Sequence, residues 1–249
     1  HTRPATFFQI AKDWPGKSPA DYYQAWRTQE EKAVQKITKF FESSKAQTSE
    51  FYAVATVLQN LPQPSNLHLA NSMAVRYANL IGLPSDYADV EVIANRGTSG
   101  IDGSNSTVVG AALASPDRLH ILITGDLAFF YDRNAFWHNY STPNLRVILL
   151  NNHGGGIFRM IDGPSRQPEL EEYFVTQQKL EAKNTANDFG LEYHRVDMSQ
   201  NGAHHELEQL LPDFFAENSQ HAKLLEIISD SQTNTDIFRQ FKKRRTEKG

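Results

Sequence analysis

From residue 50 onward, short apolar runs alternate with segments of helical periodicity, and this alternation limits what the chain can fold into more than any other feature. The candidate strands are 66–71, 90–94, 119–124, 146–151, 191–196 and 223–229. Segments near 72–81, 105–115, 128–139, 171–189 and 204–218 carry helical spacing. Apolar strands separated by helices belong to a parallel sheet covered on both faces. The expected architecture is α/β: an open, mostly parallel sheet with helices on both faces. Ahead of it, Tyr23, Trp26, Val34, Ile37 and Phe41 recur at helical intervals and predict a helix over 20–43. A second helix, capped by Thr48 or Ser49, should end before Pro62. The expected organisation is a helical linker, or the end of a preceding domain, over 1–45 and one domain over 46–249. The basic run from Lys242 to Arg245 reads as a solvated tail.

Composition narrows the function. With 249 residues and 39% hydrophobic content the chain can build a substantial core. A net charge of −4 argues against nucleic-acid binding, since no basic excess is available to neutralise phosphates. There are no cysteines, which excludes disulfides and thiolate metal sites. No apolar run approaches the roughly 20 residues of a membrane span, and no signal peptide is visible. A cytoplasmic protein is expected.

Two of the apolar runs end alike. The run 121–124 is followed by Gly125 and Asp126; the run 147–150 is followed by Asn151 and Asn152. If the two strands are parallel neighbours, both polar ends lie at the carboxyl edge of the sheet, with strands only about 4.8 Å apart. Asp126 and Asn152 could then share one cation at the edge where open α/β sheets bind ligands. A carboxylate, an amide oxygen and a backbone carbonyl suit magnesium, which favours oxygen and keeps positions for phosphate and water. Next come Gly154, Gly155 and Gly156, which let backbone approach a phosphate closely. Either pair alone reads as ordinary turn residues; the two together point to a diphosphate site.

This spacing resembles the thiamine-diphosphate motif, in which Gly-Asp precedes Asn-Asn by some two dozen residues. Leu127 stands where that motif normally has a further glycine. Gly-Asp-Leu followed by Asn-His-Gly-Gly-Gly-Ile-Phe is similar to the MenD family, 2-succinyl-5-enolpyruvyl-6-hydroxy-3-cyclohexene-1-carboxylate synthase. "NSMAVR" (71–76) and "NRGTSGIDGSNST" (95–107) resemble two further segments of that family.

The resemblance implies thiamine diphosphate and Mg²⁺ as cofactors, with manganese as another divalent ion. It implies that Asp126, Asn152 and the carbonyl of Gly154 ligate the metal, with Gly125, Gly155 and Ile157 also at the cofactor. Ser99 and Gly100 would lie near the aminopyrimidine, and Ile101 beneath the bent cofactor. Ser72, Arg76 and Arg96 would bind substrate carboxylates; Ile157, Phe158 and Ile161 would line the pocket. The implied substrates are 2-oxoglutarate and isochorismate, in menaquinone biosynthesis. Arginine's planar fork suits such carboxylates, although surface ion pairs are the ordinary role for either arginine. The superfamily's activating glutamate belongs to an N-terminal pyrimidine-binding domain that nothing in this sequence resembles. The chain is therefore expected to be a C-terminal portion without a catalytic residue of its own. It should work in a homodimer or homotetramer, and be inactive alone.

Three rivals remain. An acetolactate-synthase-like or decarboxylase-like enzyme shares the metal motif but not Leu127 or "RGTSGIDG". "HGGG" (153–156) resembles an esterase oxyanion segment, yet the Gly-x-Ser-x-Gly elbow is missing. A non-catalytic binding module would keep the sheet and lose the cofactor. His153 reads equally as a phosphate contact and as a turn residue.

Overall fold

The computed structural model describes residues 20–246. Strands β1 (Ser65–Leu69), β2 (Val90–Ala94), β3 (Leu119–Gly125), β4 (Leu145–Asn151), β5 (Glu192–Asp197) and β6 (Lys223–Ile228) form one sheet. Their order is β2-β1-β3-β4-β6-β5, and every neighbouring pair is parallel. Helices cover the sheet as the alternation requires. Every residue of β1, β4 and β6 is buried, the pattern expected of strands covered on both sides. The chain runs outward from β1 to β2 and then in the opposite direction from β3 to β4, so the order reverses between β1 and β3. Clefts for ligands form at such a reversal.

The helices are α1 (Ala20–Phe41), α2 (Glu50–Gln59), α3 (Met73–Ile81), α4 (Ser104–Ala114), α5 (Asp126–Tyr131), α6 (Ile157–Met160), α7 (Lys183–Phe189), α8 (Ala203–Phe214) and α9 (Ser231–Thr246). The chain divides into two units after Lys39. In the first, α1 carries an exposed Arg27–Glu31 ion pair. In the second, Ser49 caps α2 by accepting a hydrogen bond from the Tyr52 amide at 3.2 Å. Leu122, Phe129, Phe136, Val147 and Leu149 form one buried cluster. Phe40, Phe41, Phe51, Phe238 and Phe241 form a second, with ring centroids 4.9–6.4 Å apart. Among the described residues no helix is long and apolar enough to cross a membrane.

Three expectations need correction. The helix expected over 128–139 ends at Tyr131, and only a 3-10 turn, Arg133–Phe136, follows. Asp132 leaves the helix because its carboxylate accepts the Ser106 amide at 2.7 Å and the Ser106 hydroxyl at 2.6 Å. The helix expected over 171–189 is a single π turn, Leu170–Phe174, then an irregular strap before α7. Backbone groups of the strap have distant partners instead: the Val175 carbonyl accepts the Gly155 amide at 2.6 Å, and the Ala182 amide donates to Glu226. The basic run expected as a tail lies in the last turns of α9, with Lys242 over the Phe238 ring.

Candidate active site

The register pairs Gly125 of β3 with Leu150 of β4. Asp126 and Asn152 therefore leave adjacent strands at the same edge. Asp126 is 3% exposed. Its carboxylate accepts the Leu127 amide and the Gln178 side-chain amide, both at 2.8 Å. Burial lifts its pKa to about 6; the hydrogen bonds from Gln178, Leu127 and Gly154 pull the other way. The same Gln178 nitrogen lies 3.0 Å from Asn151 Oδ1, which ties the ends of β3 and β4 together. Asn151 also donates to the buried Glu226 at 2.7 Å.

Asn152 donates through Nδ2 to the Glu50 carboxylate at 2.8 Å, whereas its Oδ1 is buried and has no hydrogen-bond partner. Glu50 is 1% exposed. Burial raises its pKa to about 7, against the hydrogen bonds from Asn152 and Ser229; Asp126 adds to the rise. Asp126 and Glu50 are thus two buried acids close enough to feel each other. Among the described residues, neither lies within ion-pair range of a lysine, arginine or histidine. The nearby His153 favours the Asp126 carboxylate; among the described residues Glu50 has no such partner, and burying an acid without one is costly.

The glycine run passes directly over this point. A Cβ on Gly154 would sit 2.9 Å from the Val175 carbonyl oxygen, and one on Gly156 would sit 3.3 Å from Asn152 Nδ2. Gly155 faces Phe158, whose ring packs against Phe174 at 5.6 Å. Ile157 and Phe158 begin the short α6, half-buried, and Ile161 follows its end.

A second group of side chains lies at the ends of β1 and β2. Asn71 donates to the Ser99 carbonyl at 2.5 Å, and its own Oδ1 is buried without a partner. Arg76 donates to the Ser72 carbonyl at 2.6 Å, and Arg96 to the Ser99 hydroxyl. Burial, and then the neighbouring Arg96 charge, lowers the Arg76 pKa. Among the described residues, no carboxylate lies within ion-pair range of either arginine. Gly100 is exposed and Ile101 half-buried. Four non-glycine residues among those described hold a positive φ: Ser72 (80°), Ser99 (68°), His153 (63°) and Thr176 (49°). The first three follow β1, β2 and β4, and the fourth lies on the strap. Such backbone is costly and clusters at functional sites.

The two groups occupy one rim, because β2, β1, β3 and β4 are consecutive in the sheet. An oxygen-only set with one carboxylate and one orphaned amide oxygen fits a hard divalent cation. Among the described residues there is no cluster of three or more His, Cys, Asp or Glu that could hold a metal; the oxygens here come from one carboxylate and an amide. Sequence reasoning missed Glu50 and Gln178, and gave Asn71 no role beyond its place in the 71–76 motif. Glu50 looks like an ordinary first-turn acid of α2, and Gln178 sits in the polar run 176–179. Only long-range contacts single them out.

Residues 82–227 match the family described as thiamine pyrophosphate enzyme, C-terminal TPP binding domain. Three curated relatives are named 2-succinyl-5-enolpyruvyl-6-hydroxy-3-cyclohexene-1-carboxylate synthase. That of Cytophaga hutchinsonii is 53% identical over 89% of this chain and 38% of its own length. Those of Christiangramia forsetii and Flavobacterium johnsoniae are each 39% identical, over 78% and 86% of this chain and 32% and 37% of their own lengths. The chain thus spans about a third of the length of these relatives. Benzoylformate decarboxylase from Polynucleobacter necessarius shares the fold, with a TM-score of 0.59 at 13% identity over 73% of this chain and 33% of that one. Matched motif by motif and over most of its length, the chain belongs to the thiamine pyrophosphate enzymes, and among them to the MenD family as a C-terminal portion.

Proposed function

We propose that this chain is the metal- and diphosphate-binding part of a synthase that decarboxylates 2-oxoglutarate and joins the remaining succinyl unit to isochorismate. The buried Asp126 carboxylate beside the orphaned Asn152 oxygen carries this reading. Those two oxygens and the Gly154 carbonyl hold Mg²⁺ against the diphosphate. Backbone at Gly125 and Gly155 would lie near the phosphates, and at Gly155 a Cβ would crowd the Phe174 carbonyl at 3.0 Å. Ser99 and Gly100 would lie near the aminopyrimidine, and Ile101 and Ile157 would contact the cofactor. When bound, thiamine diphosphate supplies the carbon nucleophile and the electron sink for decarboxylation.

Among the described residues no carboxylate pairs with Arg76 or Arg96, so a substrate carboxylate can relieve their mutual repulsion. Ser72 adds a hydroxyl beside them, and Ile157, Phe158 and Ile161 give the pocket an apolar wall that excludes water. The activating glutamate comes from a pyrimidine-binding domain of the same or another subunit in a homodimer or homotetramer. The exposed segment Arg96–Gly100 is open to that domain. Turnover belongs to the cytoplasmic assembly, and the 249-residue chain alone should be inactive.

Calorimetry with thiamine diphosphate, with and without Mg²⁺, tests the metal site on the native protein and on Asp126→Ala. Binding should depend on Mg²⁺ and weaken at least tenfold in the variant, the lower end of what removing a metal-site group costs. Equal binding by both would remove the metal assignment. Product analysis of the full-length protein with 2-oxoglutarate and isochorismate tests the reaction; decarboxylation without a coupled product would leave only a decarboxylase.

A further inference from the structure

An asparagine can ligate a cation only through its oxygen, yet its amide can turn over and offer NH₂ instead. Something must fix the orientation of Asn152. The Glu50 carboxylate, an acceptor, lies 2.8 Å from Asn152 Nδ2 and so directs Oδ1 away from itself. That Oδ1 is the atom left buried and unpartnered. We propose that Glu50 is the positioning residue for the metal-ligating amide. The inference rests on the metal site proposed above.

Glu50 is itself held rigidly. Its carboxylate accepts the Ser229 hydroxyl at 3.0 Å, and the Ser229 oxygen accepts Asn234 Nδ2 at 2.9 Å. Asn234 Oδ1 in turn accepts the Glu50 backbone amide at 2.9 Å. This closed ring joins the start of α2, the end of β6 and the first turns of α9. A plain helix-capping role explains neither its burial nor its bond to Asn152. At α2's N-terminus a carboxylate is favoured by the helix dipole, yet among the described residues no lysine, arginine or histidine lies within ion-pair range of it. Gly156 lies close against the same amide: a Cβ there would sit 3.3 Å from Asn152 Nδ2 and 3.2 Å from the Ser231 hydroxyl. Orienting partners of this kind are commonly worth 10–100-fold in metal affinity.

The test is Mn²⁺ titration of the full-length protein followed by electron paramagnetic resonance, with thiamine diphosphate saturating. Wild type should bind and Asp126→Ala should not. Glu50→Ala should lose about tenfold or more in Mn²⁺ affinity. Glu50→Gln keeps an oxygen that accepts from Asn152 and Ser229, and should restore most of that loss. Wild-type affinity in Glu50→Ala, with Asp126→Ala defective, overturns this inference and leaves the proposed function standing. Equal binding by wild type and Asp126→Ala overturns both. If Glu50→Ala does not fold, Glu50→Asp decides: its acceptor is withdrawn by one methylene while the charge stays. It should bind Mn²⁺ more weakly than Glu50→Gln, and affinity equal to wild type refutes the assignment.

Discussion

At the scale of the residue, buried polar groups reveal what each side chain can do. His68 and His120 face each other across β1 and β3, with His68 Nε2 lying 3.1 Å from His120 Nδ1. His120 Nε2 lies 3.2 Å from the Ser115 carbonyl and so must carry a proton. Its Nδ1 is then an acceptor, which leaves the proton of His68 on Nε2 and its Nδ1 bare. Burial, and then the His120 charge, depresses the His68 pKa to about 4. The unfolded chain therefore takes up a proton before the folded one does. Stability present above about pH 6.5 should fall as pH drops toward 4. Urea midpoints measured across that range should decline, and should decline less in His68→Gln. Parallel slopes for the two proteins would clear the histidine pair of any part.

The residues of the site differ in how legible they are. Asp126 and Asn152 show in the sequence because each ends an apolar run, where position along a strand fixes position in space. Arg76 and Arg96 follow from the same logic. Glu50 stands 102 positions from Asn152, and no local pattern records that separation. Gln178 is equally silent, since a polar residue in a polar run looks solvated.

Elements were readable where burial alone sets their character. The central strands β3 and β4 show as largely apolar runs, and every one of the six expected strands was found within about two residues of its bounds. Segments 128–139 and 171–189 misled because helical spacing is also met by buried residues in irregular chain, such as Phe136 and Val175. At helix ends the decisive contacts come from elsewhere. Arg146, fully buried on β4, donates to the Phe214 carbonyl at 2.6 Å and to the Ala216 carbonyl at 2.5 Å. It also donates to the carbonyls of Pro143 and Leu145 at 2.7 and 2.9 Å. A cation there caps the C-terminus of α8. Arg146→Met keeps much of the bulk but strands several carbonyls, each worth about 1–3 kcal/mol. A thermal midpoint lowered by several degrees should result, and an unchanged midpoint would show that water replaces the guanidinium without cost.

For the whole molecule, the boundary matters most. Residues from Phe40 onward form their own compact unit. Phe40 lies 5.3 Å from Phe241, and Phe41 lies 5.0 Å from Phe51. A chain begun at Phe40 should therefore unfold in one cooperative transition. One begun at 46, the boundary read from the sequence, lacks both rings and should be less stable by about 3 kcal/mol or more. Calorimetric scans of the two truncations decide where the domain starts. The hydrogen-bond ring at Glu50 has a temporal consequence as well. Its members span 184 positions, from the opening of α2 to Asn234. A nascent chain can place Asp126 and Asn152 early, but the clamp on the asparagine cannot close until α9 has left the ribosome.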